Sequence, residues 1–297
     1  MNSKYALLGR LAIFSTAIIW GTSFIVLKSA LDSIDTMWVL AIRFTVSALI
    51  MFLIAGKRVR VMERRAFRGS AMMGLALAAA YIFQTYGLVY TTPGKNAFLT
   101  ATYCVLVPFL AWAVYKRKPG VANVIAAVVC VVGIGFVSLE SGLGHINSGD
   151  ILTLICGLFY SVQIIMMEHY SDSADAVSIS AVQFLAAAVV CWGGALGFEN
   201  VPVGLSGEAW LMILYLSVMC TAVCFFLQAW GMKYTPSSTA AMLMTLEAVF
   251  GVIFSVLIYG EKLSIKTFTG FTLIFAAVLM SEVFSEKING LFCRKTF

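Results

Sequence analysis

Ionisable side chains inside long apolar runs are where chemistry should be sought in this sequence. A charge at the centre of a bilayer costs roughly 2.5–3.5 kcal/mol on insertion scales, so one is retained only for a partner or a task. Glu247 is the clearest case, standing in AAMLMTLEAVFGVIF. It lies about 17 Å beyond Pro236 at ~1.5 Å per residue, near the middle of a hydrocarbon layer about 30 Å thick. A carboxyl there can accept a proton or face the ammonium of a ligand. It can equally bond a neighbouring helix. Arg43, in AIRF, sits about 10 Å inside the second apolar run. Its guanidinium could pair with Glu247 or hold a carboxylate with two parallel hydrogen bonds. Helix locking and snorkelling to the interface are the plainer alternatives. Lys28 and Lys95 stand nearer the end of their runs, where snorkelling is the expectation.

Uncharged groups add a weaker signal. Gln84 and Gln228 each follow an aromatic residue, Tyr81 and Phe225, by three positions, so each pair shares a helical face. Amides and rings converging at mid-depth would suit a zwitterion or a heteroaromatic solute, and interhelical hydrogen bonding would use the same glutamines. Gln163 and Ser23, the latter beside Trp20, are further candidates. Trp20 is too deep for an interfacial belt and packs against a helix or around a ligand. The seven cysteines include no CxxC pair and read as small buried hydrophobes. The 14 methionines are scattered and read as packing.

These residues must be positioned by membrane-spanning helices. The 297 residues are 61% apolar and 11% charged, with mean hydropathy +0.95; a soluble domain carries about 25% charged residues. Ten blocks are long enough to span: 9–31, 36–56, 69–90, 94–115, 120–139, 149–169, 177–197, 209–232, 237–259 and 266–284. The first reads as a span and not as a cleaved leader. The chain also repeats itself. QTYGLVYTTPGKNAFL from Gln84 aligns without a gap on QAWGMKYTPSSTAAML from Gln228, and AIRF echoes AVQF at 181–184. The organisation expected is a five-helix repeat over 9–139, a second over 149–284, and a tail over 285–297. Five is odd, so the second copy enters the membrane from the opposite side. Inverted repeats of this kind place a binding site near the midplane between the halves. Lys and Arg gather on one side, in 57–68, at 116–118 and at both termini, which puts both termini in the cytoplasm of a cell membrane.

IIWGTSFIVLKSAL in the first block, Arg43-Phe44 in the second and AAMLMTLEAVFGVIFSVLIYGEKLS near the end together resemble the EamA family of the drug/metabolite transporter superfamily, over 9–284. The resemblance implies an all-α integral membrane protein of ten helices, built as two inverted five-helix repeats around a central cavity. It also implies the export of amino acids and similar metabolites. The family often has a proline after the ninth-helix glutamate; here the residue is Ala248, so a break at that point is not expected. Tyr103 takes the glutamate's place in the first repeat, and Pro108 follows it.

Other classes fit less well. Two histidines, His145 and His169, lie at or beyond span ends. There is no HExxH, no GxSxG with partners and no Walker A sequence. An ATP-driven pump is excluded on this chain, and no catalytic, metal or cofactor site is expected. An integral membrane transferase is a remote alternative. A channel would need a carbonyl filter or a ring of acids. The basic 57–68 segment reads as a retention signal and not as a nucleic-acid patch. The expectation is a secondary active transporter of small polar metabolites working by alternating access. Its candidate binding residues are Trp20, Ser23, Arg43, Tyr81, Gln84, Tyr103, Gln163, Gln228 and Glu247, with Glu247 as the coupling group if a proton drives it. Its partners are the solute and the bilayer. Tyr81, Tyr103, Trp20 and Trp230 favour aromatic and neutral amino acids. A carrier of a lipid or lipid-linked intermediate is the alternative. Substrate, direction and oligomeric state are not written in the sequence.

Overall fold

The computed structural model describes residues 3–116, 118–139, 147–170 and 174–282. The tail 285–297, with Cys293, and also Arg117 and His145 lie outside the described residues. Ten helices are long and apolar enough to cross a membrane: α1 (Lys4–Ala30), α2 (Thr36–Val61), α3 (Arg64–Tyr90), α4 (Pro93–Tyr115), α5 (Val121–Ser138), α6 (Ser148–Tyr170), α7 (Ala176–Phe198), α8 (Gly207–Tyr234), α9 (Thr239–Tyr259) and α10 (Ile265–Glu282). Hydrocarbon offers backbone amides no partner, so every span satisfies its own hydrogen bonds, and the described residues contain no strand. Large apolar side chains such as Leu53 and Val189 cover the exterior, where lipid takes the place of a protein core. All six described cysteines are free and buried.

The basic 57–68 segment is not a loop. A 3-10 turn over Gly56–Val61 prolongs α2, and α3 begins at Arg64. Arg58 bonds the carbonyls of Ile54 and Ala55 at 2.9 and 3.1 Å, closing the α2 terminus beyond the hydrocarbon. Charge marks where lipid ends, and these helices continue past that point.

Two related halves account for the packing. Exchanging the first five helices with the last five carries α3·α6 onto α8·α1 and α1·α9 onto α6·α4. It carries α2·α7 and α5·α10 onto themselves. The α8·α1 and α3·α6 crossings are backbone-close at matching glycines. A Cβ on Gly231 would lie 2.8 Å from the Gly9 carbonyl oxygen, and one on Gly149 would lie 2.6 Å from that of Gly87. Small residues at such crossings let helix backbones meet, as is usual in bilayers. The beginnings of α1 and the end of α8 share one side, hereafter the N-side. The end of α3 and the start of α6 share the far side.

Three irregularities shape the centre. α4 is two pieces, Pro93–Thr100 and Tyr103–Tyr115, with Pro108 inside the second. Proline has no N–H to offer Cys104 one turn back, and Ser281 of α10 bonds that carbonyl at 3.3 Å. α8 relaxes into a π segment over Val218–Val223. α9 runs unbroken through Ala248 and carries its π segment later, over Ser255–Tyr259.

Candidate functional site

The α8 π segment is the platform of the site. Widening a turn leaves carbonyls without an intrahelical donor. The Cys220 carbonyl accepts from Trp20 Nε1 at 2.8 Å, and the Ser217 carbonyl accepts from Ser47 Oγ at 2.8 Å. Thr221 bonds five residues back to Leu216, and its hydroxyl receives Arg43 Nε at 2.7 Å. One irregular turn thus fixes Trp20 of α1 and Arg43 of α2 against α8. The Arg43 guanidinium carbon lies 4.7 Å from the Tyr81 ring centre, a cation over an aromatic face. Only 2% of Arg43 is exposed.

Between the halves is a cavity of about 360 Å³, and Trp20, Ser23, Arg43, Tyr81, Gln84, Tyr103, Gln163, Gln228 and Glu247 all line it. Trp230 does not; it packs against Tyr234. The Arg43–Glu247 pair, one of the alternatives read for Arg43, is not formed among the described residues. Among the described residues the ion pair within 4 Å is Arg58–Asp175, at 3.4 Å on the surface. Arg43 is held instead by Thr221 and Tyr81. Glu247 accepts no hydrogen bond among the described residues, though it faces the cavity. The guanidinium and the carboxyl share one space without an ion pair within 4 Å.

Polar and aromatic groups fill in the wall. Gln84 donates to Thr100 Oγ1 at 3.1 Å and accepts from Tyr160 at 3.2 Å, so its amide is fixed. Gln228 donates to Met244 Sδ at 3.5 Å and its carbonyl oxygen remains unpaired among the described residues. Gln163 donates to Gln183 at 3.3 Å, and Ser23 bonds back to the Trp20 carbonyl. Tyr160 stands 5.7 Å from Tyr81 and 5.9 Å from Tyr103, ring centre to ring centre. Trp20 meets Phe225 edge to face at 5.7 Å.

Tyr160 and Glu282 are among the lining residues that escaped the sequence reading. Tyr160 is one aromatic among many in its block, although it matches Trp20 in the repeat. Glu282 lies at the end of an apolar run, where a carboxylate reads as interfacial. The Ser281–Cys104 bond draws it to the N-side mouth of the cavity. Lys28 also differs from expectation: it donates to the Leu88, Val89 and Thr91 carbonyls at 2.6, 2.9 and 3.2 Å. It caps α3 and does not snorkel, because those carbonyls have no helical donor.

The cavity is one-sided. Met232, at its N-side end, is 49% exposed, whereas its repeat counterpart Leu88 is fully buried. On the far side Glu261 accepts from Thr92 Oγ1, Ser255 Oγ and the Gly94 amide, tying α9 to the start of α4.

A model of the EamA-like transporter family matches residues 7–139 and again 147–282. An "Uncharacterized transporter" of Archaeoglobus fulgidus is 33% identical, covering 91% of this chain and 85% of its own. The "Uncharacterized transporter YoaV" of Bacillus subtilis is 21% identical over 91% and 95% respectively. A solved crystal structure superposes with a TM-score of 0.68 over 97% of this chain and 99% of its own, at 16% identity, a likeness of fold. A family match covering both halves, on ten spanning helices around one cavity, makes this chain a multi-pass membrane transporter of the EamA-like family.

Proposed function

We propose that the protein is a secondary active exporter of small polar metabolites, amino acids foremost, working by alternating access. The observation that carries this reading is that the Arg43 guanidinium and the Glu247 carboxyl line one cavity between the two halves without pairing with each other. A zwitterion satisfies both at once. Its carboxylate takes the Arg43 N–H groups left by Thr221 and Tyr81, and its ammonium faces Glu247. The rings of Trp20, Tyr81, Tyr103 and Tyr160 suit an aromatic or neutral side chain, with the amides of Gln84, Gln163 and Gln228 and the Ser23 hydroxyl giving hydrogen bonds. The N-side is taken as the cytoplasm of the cell membrane, from the distribution of Lys and Arg, with both termini and the 285–297 tail there. The cavity then faces the compartment from which an exporter loads.

Coupling to protons falls to Glu247, which can carry a proton in the step when no substrate ammonium occupies it. The two five-helix repeats, 9–139 and 149–284, rock against each other to expose the cavity alternately. Purified protein in liposomes with a trapped pH-sensitive dye tests the reading. Amino acids, purines and small cations are added under an imposed proton gradient. A saturable proton flux with neutral amino acids, lost in Glu247→Gln while solute exchange persists, is the expected result. Wild-type proton flux in that variant would remove Glu247 from coupling, and silence from every amino acid would remove the substrate class.

A further inference from the structure

The α3·α6 crossing and the α8·α1 crossing both meet at matching glycines, yet they carry different polar side chains. Beside Gly87 and Gly149 stand Thr153, Asn96, Asp150 and Thr91; the repeat counterparts of the first two, around Gly9 and Gly231, are Ile13 and Ala240. Those of Asp150 and Thr91 are Arg10 and Thr235, so the fold packs this crossing without a buried amide and carboxylate, and their presence in one copy calls for another reason.

Their bonding leaves two acceptors over. Asn96 Nδ2 donates to Thr153 Oγ1 at 2.8 Å and to the Gln84 carbonyl at 3.1 Å. Both of those atoms accept, and Thr153 spends its proton on the Gly149 carbonyl at 2.7 Å. The amide orientation is thereby fixed, and Asn96 Oδ1 is left without a donor among the described residues. Asp150 Oδ1 accepts from Thr91 at 2.7 Å, while Asp150 Oδ2 has no donor among the described residues. Asp150 lies one turn before Thr153 on the same face of α6, about 4.5 Å along its axis. Asn96, Asp150 and Thr153 are completely buried. A buried carboxylate with no ion pair within 4 Å among the described residues is costly, and two orphaned acceptors, one on Asp150 and one on the Asn96 amide that bonds Thr153 a turn further along α6, need either donors or a cation.

We propose that Asp150 Oδ2 and Asn96 Oδ1, with the Thr91 hydroxyl oxygen beside them, hold a small monovalent cation of the sodium class in the far half of the protein. Oxygen donors suit a hard cation. One carboxylate neutralises a single charge, whereas a divalent ion would leave a net buried charge. The site spans α3, α4 and α6, and Asn96 ties it to the backbone of Gln84, whose side chain lines the cavity. Opening the far side parts these helices and takes the site apart. The cation is thus a ligand of the far-side-closed state and stabilises it by mass action.

Thermal unfolding of the full chain in detergent tests this directly, with NaCl exchanged for KCl or N-methylglucamine chloride at constant ionic strength and pH. A saturable rise with Na⁺ of about 3–6 °C is expected, with K⁺ weaker. Asp150→Asn and Asn96→Ala should abolish it, and Glu247→Gln should keep it. Asn96→Ala installs the residue the other half already carries, so its folding is provided for. No Na⁺-specific shift in folded wild type overturns the proposal, leaving water as the partner of these oxygens. So does a shift that survives Asp150→Asn or vanishes in Glu247→Gln.

Discussion

Arg43→Lys keeps the charge and removes the geometry, which makes it the sharpest probe of the cavity. In the native protein Nε is committed to Thr221 at 2.7 Å, Nη2 donates to the Tyr81 hydroxyl at 3.5 Å and the guanidinium plane covers the Tyr81 ring at 4.7 Å, leaving Nη1 and the second Nη2 N–H for a ligand. A lysine ammonium is a single point with three donors on a flexible stem. It cannot hold Thr221, cover Tyr81 and fork onto a carboxylate together. One charge-assisted hydrogen bond is worth about 1.5–3 kcal/mol, and losing one at the ligand corresponds to about 10–150-fold in affinity. The host fold should survive, since Thr221 still bonds Leu216 and Ser47 still bonds Ser217. Exchange in liposomes, comparing a neutral amino acid with its decarboxylated amine, reads the effect. We expect apparent affinity for the amino acid to fall by about 10–100-fold and that for the amine by less than about threefold. Equal losses for both would mean that Arg43 only locks α2 to α8. Unchanged affinity for the amino acid would remove its carboxylate from Arg43 altogether.

Three further outcomes follow from the same structure. Glu261→Ala removes the acceptor of Thr92, Ser255 and the Gly94 amide. The far side should open more often, and thiol labelling of a cysteine placed at Leu88, which is buried while that side is shut, should speed up by about tenfold for a shift of ~1.4 kcal/mol; unchanged labelling would deny Glu261 a part in closure. Gly87→Val and Gly231→Val place a Cβ against the opposing helix, the second 2.8 Å from the Gly9 carbonyl oxygen, and each should cost about 1–3 kcal/mol. Gly193→Ala, where nothing lies within 4 Å, should leave the unfolding temperature unchanged or raise it, and a loss as large as at Gly87 would refute the crossing argument. Ser281→Ala leaves the Cys104 carbonyl without its donor across from Pro108; a drop in stability of about 1–3 kcal/mol is expected, and none would mean that the α4 kink stands without α10.

The candidate residues were legible because hydrocarbon makes polarity conspicuous. Arg43 and Glu247 stand out in apolar runs, and Gln84 and Gln228 announce themselves by their register. All of them line one cavity. Their partners were not legible, because partners depend on backbone irregularity. The π turn that receives Arg43 and Trp20 falls in VMCTAV, which carries no proline, glycine pair or charge to mark it. The Arg43–Glu247 pairing looked natural from two isolated charges of opposite sign. A threonine hydroxyl freed by that turn, with the Tyr81 ring, took the guanidinium instead. Helix ends were misplaced for a related reason. Charges in 57–68 report the edge of the hydrocarbon, whereas hydrogen bonding carries α2 to Val61 and restarts at Arg64.

What separates the two halves is chemistry more than shape. Their helices pair identically, so either half can in principle open, and the energy difference between facing states rests on side chains that the repeat does not share. On the far side Lys28 caps α3, Glu261 gathers three donors and Asp150 binds Thr91. On the N-side the counterpart of Thr91, Thr235, keeps a buried hydroxyl with no partner among the described residues, and Met232 stands exposed where Leu88 is buried. Among the described residues Thr91 is bonded where Thr235 is not, and Leu88 is covered where Met232 is not, so matching positions differ between the two faces. On the proposed alternating-access reading, a transporter with this asymmetry rests open to the N-side, and a bound solute offsets the far-side bonds before it leaves. That reading places the work of transport on the solute's grip at Arg43 and Glu247, so substitutions there should slow the opening of the far side as well as weaken binding.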